Sequence, residues 1–283
     1  LLAVARKGQK RQGFTMYILR AESPGPNVGK LVPKMKETAR ILYVMYIALT
    51  ILNIIFLLLG GMPLFDSLCT SFGTAGTGGF GIKNDSIGSY SSYLQNVCTV
   101  FMFLFGVNFS CYYLLLIKEI KSVFKDEELR LYVGIFLGSI ALISWNIFGM
   151  YDTLGETVRH AAFQVSSIMT TTGFATTDFD MWPTFSKSIL VCLMFCGACA
   201  GSTGGGIKVS RVLLLGKSLK RNIRQMLQPR KVMVVRSNGQ KVDEKILANV
   251  NAYLAAYVII IILSFLVVSL DGFSLTTSFT SVV

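Results

Sequence analysis

The chain has 283 residues, of which 52% are hydrophobic and only 15% charged, and its mean hydropathy is +0.57. Ordinary globular proteins carry about 25% charged residues, so a soluble enzyme or soluble binding module fits poorly, and long charge-poor stretches read as membrane spans. The net charge of +12 raises nucleic acid as a partner. However, Lys and Arg stand in blocks between apolar runs, the pattern of cytoplasmic loops under the positive-inside rule, and nucleic acid is set aside.

Residues 1–40 carry nine basic and two acidic residues and are expected to form a cytoplasmic connector. Residues 41–117 form one unit. Ile41 to Leu59 is a span of nineteen uncharged residues with Asn53 its most polar member, and Gly60-Gly61-Met62-Pro63 ends it. Leu64 to Phe72 is apolar but too short to cross. It runs into Gly73-Thr74-Ala75-Gly76-Thr77-Gly78-Gly79-Phe80-Gly81, the layout of a re-entrant pore helix and filter. A polar loop, Ile82 to Ser92, leads to a second span, Tyr93 to Ile117. Residues 118–130 are a charged connector.

The pattern then repeats over residues 131–215. Leu131 to Met150 is a span, Thr153 to Met169 a short amphipathic helix, and Thr170 to Thr177 a second Thr/Gly run before polar Asp178 to Pro183. Phe185 to Leu215 is a long span interrupted by glycines. Residues 216–245 are a basic connector with nine Lys/Arg against Asp243 and Glu244. Residues 246–283 begin another unit, with a span to Leu270 and a further short helix from Phe273. Asp66 and Asp271 are read as equivalent helix starts, where a carboxylate favours the positive end of the dipole. The expected fold is all-α: span, pore helix, filter and span, repeated around a central pore. The Lys- and Arg-bearing connectors place the filters' openings outside. The chain is expected to be an internal fragment of a longer protein.

A filter replaces an ion's hydration shell with oxygens, commonly backbone carbonyls. Thr77, Gly78, Gly79 and Phe80, with Thr171, Thr172, Gly173 and Phe174, meet that need: glycine opens the required dihedrals, threonine adds a hydroxyl, and no carboxylate is present to hold a cation too tightly. Short helices ending at the filters turn their partly negative ends toward the pathway, which suits a cation. Between Ser188–Cys196 and Val209–Leu215, Gly197-Ala198-Cys199-Ala200-Gly201-Ser202-Thr203-Gly204-Gly205-Gly206 breaks a membrane helix. Irregular backbone at that depth is tolerated where it is buried in protein or lines a cavity. The preceding repeat's second span has only Gly106 and is expected to be continuous. The interruption is therefore a candidate gate. Lys208 and Arg211 after it read as snorkelling side chains, as a positive barrier, or as ion-pair partners of the closed state.

A phosphate loop over Gly201–Lys208 fails on spacing, because Ile207 separates the last glycine from Lys208 and no strand precedes it. An intramembrane enzyme would need His, Asp or Glu pairs that the clear spans lack. Cys192, Cys196 and Cys199 share helical spacing without an accompanying His or carboxylate and read as packing residues. His160 is either a packing or vestibule residue or a pH sensor. Asp178 and Asp180 either concentrate cations or lie in a solvated loop.

Thr171-Thr172-Gly173-Phe174-Ala175-Thr176-Thr177-Asp178-Phe179 with Trp182-Pro183, and Ala200-Gly201-Ser202-Thr203-Gly204-Gly205-Gly206-Ile207-Lys208, resemble the Trk/Ktr/HKT superfamily of potassium transporters. Arg20-Ala21-Glu22-Ser23-Pro24-Gly25-Pro26 resembles a connector of its bacterial Trk membrane subunits. The resemblance implies four repeats around one pore, with one filter glycine per repeat, here Gly79 and Gly173, and an intramembrane gating loop over Gly197–Gly206. This chain would hold the end of the first repeat, the second and third, and the start of the fourth. It further implies potassium as substrate with no covalently bound cofactor and no metal other than potassium at the filter. It implies a homodimer in the lipid of the bacterial inner membrane, with a cytosolic ring of nucleotide-binding regulatory subunits of the TrkA/KtrA type. A sodium-permeable or weakly selective relative is the alternative.

Overall fold

The computed structural model describes residues 35–228, 230 and 233–282. Most of the 1–40 connector, including Arg20 to Pro26, and Val283 lie outside the described residues. The described residues fall into two compact units, 35–209 and 210–282.

In the first unit, α1 (Met35–Leu59) carries a candidate span of 20 residues, Arg40–Leu59. Gly60 and Gly61 stop it, and Pro63 caps the shorter α2 (Leu64–Ala75). The sequence reading ended this helix at Phe72, but it continues through Gly73-Thr74-Ala75. Thr74 donates its hydroxyl to Thr70 O at 2.8 Å, so its polar group is satisfied inside the helix.

The second span of this repeat is not continuous, contrary to expectation. It consists of α3 (Ser92–Phe105) and α4 (Phe109–Leu116), bent by 89°. Gly106 lies at the bend against the Tyr132 ring, and a Cβ there would meet the tyrosine hydroxyl at 2.2 Å. Asn108 restarts the helix by accepting the Ser110 N–H at 2.9 Å. Side chains of Asn favour caps because they compete for backbone groups. The interruption is thus present in both complete repeats.

A short α5 (Ile120–Lys125) occupies the connector, and Asp126 caps α6 (Glu127–Asn146), another candidate span. The half-length α7 (Leu154–Met169) opens on an N-cap: Thr153 Oγ1 accepts the Glu156 N–H at 3.2 Å. Then α8 (Thr184–Cys196) follows, apolar but only 13 residues long. α7 packs on α3, α6 and α8, while α1 packs on α2 and α3. Two cores result, one around Tyr132, Ile143, Ile147 and Met169, the other around Leu57, Met102 and Phe105. Phe163 and Phe174 of the later repeat belong to the second core, so the repeats interlock.

The second unit starts within α9 (Val209–Leu227), which runs twelve residues beyond Leu215 into the expected connector. Strands β1 (Arg236–Ser237) and β2 (Gln240–Lys241) then pair antiparallel around Asn238-Gly239, both at positive φ. Such a dipeptide is the strongest short hairpin signal; the sequence reading passed over it inside a basic block. Asp243 caps α10 (Glu244–Ser269), 26 residues and apolar enough to span, and Ser274 caps α11 (Leu275–Thr280).

Candidate functional site

α2 and α7 end in the same way. Gly78 N–H donates to Gly73 O at 2.8 Å, and Thr172 N–H donates to Ser167 O at 2.8 Å, each five residues back. One residue earlier, Thr77 bonds Thr74 O at 3.3 Å and Thr171 bonds Ile168 O at 3.0 Å. These are Schellman closures, which need a left-handed residue just past the helix. Threonine fills that place in both: φ is +50° at Thr77 and +57° at Thr171. Two residues on, Gly79 and Gly173 take +65° and +89°. Four of the predicted residues therefore share one backbone pattern at one position in each repeat.

The two runs lie side by side. A Cβ on Gly79 would stand 2.0 Å from the Thr172 carbonyl oxygen, and a Cβ on Gly73 would stand 3.0 Å from the Phe174 ring. Only a bare backbone fits against Thr172 there. Gly173, in contrast, faces open space.

The later run is pinned from behind. Ser167 Oγ donates to Phe174 O at 2.6 Å, Gln164 Nε2 to Thr177 O at 3.3 Å, and the Ala175 N–H to Ser86 Oγ at 3.2 Å. Phe174 contributes a buried ring and a carbonyl already engaged, whereas the Phe80 side chain is 81% exposed. The threonine hydroxyls differ from expectation too. Thr170 and Thr172 hydroxyls pair at 2.7 Å, Thr171 Oγ1 accepts the Gly205 N–H at 2.7 Å, and Thr77 Oγ1 donates to Gly76 O at 2.8 Å, with Thr203 O at 3.3 Å. Each of these hydroxyls thus has a protein partner: the Thr170 hydroxyl for Thr172, and backbone for Thr77 and Thr171.

Those bonds tie the two Thr/Gly runs to the glycine-rich segment. Its ends close on themselves: Val209 N–H donates to Ala198 O at 3.0 Å, and a Cβ on Gly206 would come within 2.7 Å of Gly197 Cα. Gly204 is buried, and Lys208 Nζ donates to its carbonyl. Ser202 Oγ donates to Cys199 O at 2.6 Å and holds the turn before Thr203. The segment also plugs into the bend between α3 and α4. Cys199 N–H reaches Gly106 O at 3.0 Å, Thr203 N–H reaches Phe105 O at 3.4 Å, and Gly201 O accepts from Phe109 N–H at 3.2 Å. Glu128 Oε1, in the first turn of α6, accepts the Ala200 N–H at 2.6 Å. Sequence reasoning missed Asn108 and Glu128. Asn108 was the one signal available, a capping residue two positions after Gly106.

Other candidates fall elsewhere. Arg211, in the second unit, is 7% exposed with its guanidinium 3.9 Å over the Tyr253 ring. Asp66 and Asp271 are not equivalent. Asp66 is the third residue after the cap of α2, the place held by Glu156 in α7, while Asp271 precedes the Ser274 cap. Tyr90 donates to Asp66 at 2.7 Å, and burial with that carboxylate pushes its phenol up to about 12. His160 stacks on Tyr151 at 4.9 Å and bonds Thr176 at 3.0 Å. Asp178 Oδ1 accepts the Asp180 N–H at 3.0 Å as a local cap. Cys199 is buried and Cys192 exposed, and no cluster of His, Cys, Asp and Glu among the described residues has the makings of a metal site.

Spans joined by the half-length α2 and α7, each exiting through an irregular Thr/Gly run, define a helical membrane protein of the repeated pore-loop class. Residues 10–283 match the family model TrkH, described as a cation transport protein, and the chain belongs to that family. It is 35% identical over 274 residues to the Trk system potassium uptake protein TrkH of Salmonella typhimurium, covering 95% of this chain and 56% of that one. It is 36% identical over 275 residues to TrkG of Escherichia coli K12, again 95% and 56%. The crystal structure of the potassium transporter TrkH from Vibrio parahaemolyticus superposes with a TM-score of 0.84 at 30% identity, over 93% of this chain and 57% of that chain. The chain spans a little over half the length of the relatives it matches.

Proposed function

We propose that this chain supplies two of the filter segments and the gate of a potassium uptake pathway. The observation that carries the reading is the shared exit of α2 and α7, with Thr77 and Gly79 matching Thr171 and Gly173 in positive φ, and Thr77 and Gly78 matching Thr171 and Thr172 in hydrogen bonding. Carbonyls of Thr77, Gly78, Gly79, Thr171, Thr172 and Gly173 are the ion's oxygens. Phe80 and Phe174 flank them, Phe174 by anchoring the later run. The Gly197–Gly206 loop is the gate, bonded to the threonines at the inner end of each run. The filters face outward and the connectors inward, in the plasma membrane of a bacterium. The family resemblance supplies the rest: a homodimer, with a cytosolic ring of nucleotide-binding regulatory subunits.

Gly173→Ser tests the filter. Its Cβ meets no atom within 4 Å, so the serine enters open space, and φ of +89° adds backbone strain alone. In the complete protein, expressed in cells lacking their own potassium uptake, the preference for potassium over sodium falls by about tenfold, the equivalent of 1.4 kcal/mol. Unchanged selectivity with normal expression contradicts the filter assignment. An unmutated protein that does not discriminate the two ions selects the weakly selective alternative.

A further inference from the structure

The segment that follows the gating loop has two unlike faces. Lys217, Lys220, Arg221 and Arg224 recur along α9 at i, i+3, i+4 and i+7, which sets them in one stripe. Leu219, Ile223, Met226 and Leu227 recur at i, i+4, i+7 and i+8 on a neighbouring stripe and are between 51% and 80% exposed. The β1–β2 hairpin folds back onto the basic stripe, with Lys217 Nζ donating to Arg236 O at 2.8 Å. An open cleft of about 570 Å³ lies between them, lined by those four cations and Arg236, with no carboxylate among its described lining residues. Glu244 pairs with Arg221 at 2.5 Å.

We infer that this cleft binds the phosphate-bearing headgroup of an anionic membrane lipid. The inference rests on the proposed orientation, which puts α9 at the cytoplasmic leaflet. A guanidinium fork matches phosphate oxygens, and Arg224 and Arg236 stand across the cleft with Lys220 beside them. The apolar stripe selects the lipid as the phosphate's source. A basic helix with a separate apolar face lies in the interface plane, burying that face at the acyl boundary while its cations meet headgroups. A free anion would satisfy the cations and leave four large apolar side chains in water. Because α9 leaves the gating loop directly at Val209, a bound headgroup loads the helix that ends the gate.

The test uses the purified complete protein in neutral detergent, with retained lipid counted by native mass spectrometry. Phosphatidylglycerol is retained over phosphatidylcholine, and each neutralised cation weakens retention by about fivefold, so Lys220→Gln with Arg224→Gln weakens it by about 25-fold. Leu219→Gln with Met226→Gln also lowers retention, although every charge remains. All four positions are exposed turns of α9, so the fold carries these changes. Equal retention by the unmutated protein and the charge variant overturns the inference. So does displacement of phosphatidylglycerol by millimolar inorganic phosphate, which assigns the cleft to a soluble anion. A charge variant that keeps phosphatidylglycerol but loses a cytosolic regulatory subunit assigns the stripe to that protein instead. Lipid retention in detergent does not depend on the filter, so failure here and failure of Gly173→Ser are separate results.

Discussion

Gly79→Ala abolishes potassium uptake, whereas Gly78→Ala leaves most of it. The neighbouring glycines differ in what an added methyl group meets. At Gly79 it would stand 2.0 Å from the Thr172 carbonyl oxygen and 3.0 Å from the carbonyl carbons of Thr172 and Gly173, all backbone. No rotamer change relieves that overlap, so the two filter runs must separate by about 1 Å. Alanine at φ +65° adds about 1–2 kcal/mol of left-handed strain. At Gly78 the methyl group meets only the Phe80 ring, at 3.0 Å, and that side chain is 81% exposed and free to turn aside. A misplacement of about 1 Å at a positioned site costs about 10²-fold, so Gly79→Ala uptake falls to roughly one hundredth. Rubidium uptake, normalised to protein in the membrane, checks both variants. Near-normal flux through Gly79→Ala would mean that the two runs do not meet across a shared pathway.

Loosening the glycine-rich loop has the opposite effect. Deleting Gly201 to Gly206 removes the Gly205–Thr171 and Thr203–Thr77 bonds to the filter and the Gly201 and Thr203 bonds to the bend between α3 and α4. Flux through the deleted protein rises. Glu128→Gln is the smaller version of the same change. It keeps an oxygen facing the Ala200 N–H but discards the charge that shortens that bond to 2.6 Å. Charge-assisted bonds contribute about 1 kcal/mol more than neutral ones, so closed-state occupancy shifts by about fivefold. Single-channel or liposome flux recordings measure it. A deletion that folds and leaves flux unchanged removes the gate from the account.

Much of this architecture was legible because it rests on local rules. The amphipathic run from Thr153 to Met169 gave α7 nearly to the residue. Runs without charge gave α1 and α10. The two Thr/Gly stretches after half-length helices were visible in composition, but the backbone φ pattern they share was not. The bend at Gly106 was missed because its cause is tertiary: a lone glycine in a span is ordinary, and only the Tyr132 ring against it and the plug from the glycine-rich segment make it a break. Glu128 was missed for a similar reason. It sits 72 residues from Ala200 in a charged connector, and nothing local distinguishes it from a solvated carboxylate. The hairpin at Asn238-Gly239 was legible and overlooked, because the block was read for charge alone. The threonine hydroxyls show the reverse case. Their residue type suggested ion contact, and in the structure each also bonds protein, the Thr170 hydroxyl for Thr172 and backbone for Thr77 and Thr171.

The central claim is that the backbone oxygens of Thr172 and Gly173, beside Thr77–Gly79, bind a dehydrated potassium ion. Anomalous diffraction from crystals of the complete protein soaked in rubidium or thallium tests it directly. An anomalous peak is expected on the line between the two proposed filter runs, within coordination distance of the Thr172 and Gly173 carbonyls and abolished by Gly79→Ala. A peak confined to the Asp178–Asp180 loop, with none at the filter, would contradict it.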